Sequence, residues 1–178
     1  MMKLLNLLKT ILPKQFLKTI LTKTKNDIEL LSFDPIKHSP DFYNIYADYS
    51  KDSDIEDVSF QSFYPQLVQA TKDDKAIVYA VFKHSYNGVI GFIVFERIFP
   101  FILNSHIVIN KEFRNFYNAY KASLLAMERV FSFDTKQIVA YVKNDNKNVR
   151  ILLKKLGFTF WGKDENCMTY SLTSSKFM

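Results

Sequence analysis

The chain has 178 residues, 48% of them hydrophobic and 16% aromatic, enough for one domain with a real core and too apolar for disorder. Its lone cysteine, Cys167, excludes an internal disulfide and a cysteine-clustered zinc site, and the three histidines have no zinc spacing, so no metal is expected. The net charge of +6 comes from six lysines in residues 1–25, leaving 18 basic and 18 acidic residues elsewhere, so nucleic-acid binding is not indicated.

Residues 1–26 read as a basic amphipathic helical arm. Leu4, Leu5, Leu8, Ile11 and Leu12 recur at helical spacing, Pro13 interrupts, and Phe16, Leu17, Ile20 and Leu21 repeat the pattern. Lysines break the apolar residues throughout, so neither a secretory signal nor a transmembrane span is expected. Such an arm can pack on its own domain, dock into a protein partner, or lie on an anionic membrane surface. An intracellular, cytoplasmic protein is expected, with a virion component as a further possibility. Cys167 is expected to be buried and inert.

Residues 27–178 form the predicted domain. Ile28 to Phe33 reads as a strand and Pro40 to Tyr49 as a helix, with Pro40 in its first turn. Residues 51–57 are a polar, mostly acidic connector, and Phe60, Phe63, Leu67 and Ala70 mark a second helix. Lys75 to His84 and Val89 to Phe99 are rich in β-formers and flank the turn signal Tyr86-Asn87-Gly88, which predicts a hairpin. Phe101 to Ile109 is a further strand after Pro100. Tyr117, Tyr120, Leu124, Met127 and Phe131 then make one apolar helix face. Gln137 to Val142 returns to strand, Asn146 to Leu156 is helical with Gly157 as its stop, and Phe158 to Trp161 and Met168 to Leu172 close the chain. The order β, α, α, β, β, β, α, β, α, β, β predicts an α/β domain with a mixed sheet flanked by helices.

Two stretches carry a family resemblance. Asn146 to Phe158, NKNVRILLKKLGF, matches a pattern of Asn, a small residue three later, Leu-Tyr and Lys-Leu-Gly-Phe at Asn146, Leu152, Lys155, Leu156, Gly157 and Phe158. Ile109 to Ala119, INKEFRNFYNA, fits V-x-P-E-Y-R-G-x-G-x-G/A at Glu112, Phe113, Arg114 and Ala119. Together with the element order, they make the chain resemble a divergent member of the GNAT superfamily of acyl-CoA N-acyltransferases. The resemblance implies a GNAT-like central mixed sheet, acetyl-CoA or another acyl-CoA as cofactor, and an amine as acceptor. It implies cofactor binding by Ile109, Arg114, Asn115, Tyr117, Asn118, Ala119 and Asn146.

A strand entering a helix through a loop aims amide N–H groups and positive dipole at one point, which suits the coenzyme A diphosphate. Asn115 and Tyr117 stand where the family has glycines, and a Tyr117 ring turned inward blocks the phosphates. Leu153 stands where many members have a tyrosine that returns a proton to the leaving thiolate, and a leucine cannot do this.

Catalytic residues are not identifiable from the pattern. Glu96 and His106 are the strand side chains able to take a proton from an amine, and each is also explained as an ordinary strand carboxylate or a packed histidine. His38 and His84 fall in predicted loops without nameable partners, and no nucleophile elbow, P-loop or dinucleotide fingerprint is present. Two functions follow as expectations. One is an N-acyltransferase. The other is a catalytically degenerate fold with a binding or structural role in a larger assembly, docked through its arm.

Overall fold

The computed structural model describes residues 27–52 and 60–177; the predicted arm and residues 53–59, which include most of the connector, lie outside the described residues. In chain order the elements are β1 Ile28–Ser32, α1 Ser39–Asp52, α2 Phe60–Lys72, β2 Ala76–Lys83, β3 Gly88–Phe99 and β4 Ile102–Ile109. A single 3₁₀ turn, Lys111–Phe113, leads to α3 Phe116–Phe131, β5 Gln137–Lys143, α4 Lys147–Lys155, β6 Thr159–Lys163, β7 Cys167–Thr173 and a short α5 Ser174–Phe177. The strands form one sheet in the order β1-β2-β3-β4-β5-β7-β6.

Local chemistry explains the sheet. At the predicted hairpin turn, Asn87 takes a left-handed φ of 57°, which asparagine tolerates better than most residues. Gly91 lets β4 approach β3: a Cβ there would lie 2.4 Å from the Val108 carbonyl oxygen. The crossover through α3 makes β4 and β5 parallel, and every other pairing is antiparallel. Helix α4 ends as expected at Gly157, φ 91°, where the Phe158 amide bonds back to the Leu153 carbonyl at 3.0 Å.

Each face has its own core. Helices α3 and α4 cover an aliphatic one, including Val81, Ile90, Leu103, Ile138 and Leu172. Helices α1 and α2 cover a smaller one of Phe42, Ile45, Leu67, Ala80, Phe92 and Val94.

Several expectations are corrected. Lys51 and Asp52 end α1 instead of opening the connector. Cys167 is half-buried in β7, not fully enclosed. Within the predicted apolar face of α3, only Met127 is buried. The stripe fully buried against the sheet runs instead through Asn118, Ala122, Ala126 and Val130, because small side chains bring the helix backbone closest to the strands.

Candidate functional site

The site is built where β4 and β5 part. They pair only from Ile102–Asn104 to Gln137–Val139, although β4 runs on to Ile109 and β5 to Lys143. Asn104 is therefore the last paired residue before a fork. Alternate residues of a strand share a face, so Asn104 and His106 point the same way. Across the hairpin, Asn104 lies opposite Glu96 and His106 opposite Val94, which belongs to the core under α1 and α2.

The three polar side chains meet. Asn104 Nδ2 is 2.8 Å from His106 Nε2 and 3.4 Å from a Glu96 carboxylate oxygen, and that oxygen is 3.3 Å from His106 Nε2. Glu96 and His106 are half-exposed, while Asn104 is buried. The His106 hydrogen bond holds the Glu96 carboxyl below its ordinary range, against burial, with Asn104 adding a smaller pull. With the ring proton on Nδ1, Nε2 accepts from Asn104; with a proton on Nε2, it donates to Glu96. Asn104 Oδ1 is buried with no protein partner. The trio thus offers a proton-accepting nitrogen and a carboxylate at the surface, with the buried Asn104 amide holding them in place, an arrangement suited to an amine's N–H groups.

Glu96 and His106 were separate candidates in the sequence, and Asn104 was missed. Pro100 lies midway between positions 96 and 104, so folding the hairpin about it would have found the pair.

The second part of the site is the β4–α3 junction. After Ile109 the chain makes the 3₁₀ turn and enters α3, the predicted sheet-to-helix passage. Asn110 and Asn115 cap the two helical pieces, accepting from the Glu112 amide at 3.1 Å and the Asn118 amide at 2.9 Å. The Ala119 amide also returns to the Asn115 carbonyl. Asn118 is buried, and its side chain donates to the Phe113 carbonyl at 2.8 Å, fixing the loop. Arg114 Nε donates to the Ile109 carbonyl at 3.2 Å. Tyr117 is 46% exposed, so its ring is not buried in the loop.

This junction fits an anion in direction and charge. A sixteen-residue helix begins there, with Lys111 and Arg114 beside it. An incoming phosphate would have to displace the Asn115 side chain to reach the Asn118 amide.

The remaining residues fall elsewhere. Asn146 is exposed and caps α4, accepting from the Val149 amide at 3.2 Å. Leu153 is buried in the aliphatic core. His38 lies in the loop before α1, as expected, but it has partners: it is buried, its Nδ1 accepts the Asp34 amide at 2.9 Å and its ring packs on Phe33. His84, also expected alone, lies 3.0 Å from Glu29. No described helix is long and apolar enough to cross a membrane.

Comparison with known proteins agrees on architecture. By sequence the chain matches no family model and no curated protein. Among solved structures it is similar to spermidine N-acetyltransferase SpeG from Vibrio cholerae in complex with CoA and spermine, at 14% identity and a TM-score of 0.73, covering 85% of this chain and 98% of that one. It is also similar to FdhC, a nucleotide-linked sugar GNAT, at 16% identity and a TM-score of 0.69, covering 85% and 89%. At such identities the likeness is one of fold.

Proposed function

We propose that this chain, which has the fold of the GNAT acetyltransferases, moves an acyl group from acyl-CoA to an amine bound at Glu96, Asn104 and His106. The observation that carries the proposal is the gathering of those three side chains at the β4–β5 fork. Acyl-CoA would supply a thioester carbonyl for the amine to attack. Its diphosphate belongs at the β4–α3 junction, with Asn115, Phe116 and Arg114.

The acceptor arrives as an ammonium and must lose a proton before attack. His106 Nε2 takes that proton, and Glu96 holds the resulting imidazolium. The Glu96 carboxylate accepts a second N–H and orients the nitrogen, while Asn104 positions both side chains from beneath. The new N–C bond forms as the C–S bond breaks. Because Leu153 has no proton to give, the departing sulfur of acyl-CoA would take the proton back from the imidazolium, and the nitrogen's second proton would pass to the freed His106 and on to water, leaving a neutral amide and a free thiol.

A second reading has its own support. The Asn115 cap occupies an amide that a diphosphate would use, and Leu153 removes an acid, so the fold can serve as a binding module without chemistry. Thiol release from acetyl-CoA with a panel of primary amines separates the two. The transferase account expects turnover that falls about 10²–10⁴-fold in His106→Ala, with unchanged folding. Amine-dependent turnover unaffected by that substitution would remove His106 from the chemistry. No turnover with any amine would favour the binding module.

A further inference from the structure

The sheet face that carries Glu96, Asn104 and His106 continues across the fork onto β5. Asn104 pairs with Val139, so their side chains share that face, and alternation places Tyr141 and Lys143 on it as well. The pairing of β5 with β7 runs from Gln137 to Lys143 without a register shift, so the alternation is unbroken. The intervening residues Ile138, Ala140 and Val142 lie in the aliphatic core on the other side. His106 is two residues beyond Asn104, and Tyr141 is two beyond Val139. Tyr141 is therefore the counterpart of His106 on the second arm of the fork. It is 54% exposed, while Ala140 and Val142 on either side of it are buried.

The charges along this face are ordered. Glu96 stands on β3, to one side of the fork, and Lys143 ends β5 on the other. Lys143 is exposed and joins no ion pair among the described residues. Asp164, in the turn ahead of the Lys143 partner Cys167, spends a carboxylate oxygen on the Asn166 and Cys167 amides at 2.8 and 2.7 Å. Two strand spacings and four residues of rise put the Cα atoms of Glu96 and Lys143 on the order of 16 Å apart. Both side chains are long and flexible, so their charges can approach to the length of a short aliphatic chain. The Tyr141 ring lies between them.

We propose that the acceptor is a dipolar amine, with its ammonium on Glu96 and His106, an apolar middle across the Tyr141 ring and a carboxylate on Lys143. This specificity rests on the acyltransferase reading for what happens to the nitrogen, and it adds the chemistry of the molecule's other end. Tyr141 and Lys143 select the acceptor and move no proton. A diamine would bring a second ammonium against Lys143, so like charge discriminates against it.

The test uses three amines of one length, ε-aminocaproate, hexylamine and hexamethylenediamine, which differ only in the charge of the far end. Thiol release from acetyl-CoA at low ionic strength should rank them in that order by kcat/KM. The first and last should differ about fivefold, the scale of exposed charge pairs. Lys143→Glu should invert the order, which a loss of folding cannot do, and Tyr141→Ala should lower all three together. Equal rates for the three amines, or a ranking unchanged in Lys143→Glu, would overturn the proposal and leave the transferase reading in place. If none is turned over, that reading fails instead, and titration with ε-aminocaproate followed through backbone amide shifts decides the proposal. Saturable shifts at Tyr141 and Lys143 that Lys143→Glu abolishes support it, and undisturbed spectra overturn it.

Discussion

The two faces of the sheet are packed in different ways, and the difference bears on where the site lies. Under α3 and α4 the core is largely aliphatic, and Ala122 and Ala126 let the helix sit close to the strands. Under α1 and α2 it is a nest of rings: Phe42 contacts Phe33, Tyr46, Phe63, Tyr64 and Phe92, the last at 4.7 Å. Along β3 the nest ends at Phe92 and Val94, just before Glu96. The aliphatic face anchors the fold, while the aromatic face stops short of the polar trio and leaves Glu96 and His106 open to solvent.

The sharpest way to break this contrast is Phe92→Ala. It should cost about 3–5 kcal/mol in urea unfolding, because a fully buried ring at the centre of the nest is removed. Hydrogen exchange should rise in α1 and α2 while α3 keeps its protection. Equal loss on both faces would mean that the cores are one unit.

A smaller effect comes from His38, buried among the same rings. Burial lowers its pKa, aided by Lys37 and opposed by Asp34 and Asp41. The unfolded chain takes up this proton near pH 6.5 and the folded chain only at lower pH. Its contribution to stability is therefore present above about pH 6.5 and is lost as pH falls toward the folded value. Urea midpoints between pH 7.5 and 5 should show that decline, and His38→Gln should flatten it. An unchanged slope in the variant would assign the decline to other groups.

The smallest expected effect is at the junction. Asn115→Gly should lower stability by only a few tenths of a kcal/mol, since glycine is a tolerable N-cap. It should also strengthen CoA binding by removing the side chain now on the Asn118 amide. Weaker binding would mean that Asn115 contacts the ligand instead of competing with it.

Much of the architecture was legible in the sequence. Runs of β-formers and turn residues marked the strands, Gly157 marked the end of α4, and the change of period after Ile109 marked the crossover. The site was less legible because it depends on register. Glu96 and His106 stood out singly, but only the pairing of β3 with β4 puts Asn104 between them. The buried face of α3 was misread for a related reason: periodicity finds the largest apolar side chains, whereas close packing on the sheet selected the alanines. His38 does sit in a loop, but its partners were not legible because the rings around it come from Phe33, just after β1, and Phe92, on β3.

Titration of the full chain with CoA, followed through backbone amide shifts, tests the central claim most directly. Saturable shifts centred on residues 110–119, spreading along β4 toward His106, are the expected result. Undisturbed spectra at millimolar CoA, or shifts confined to a surface remote from the fork, would contradict the acyl-CoA account.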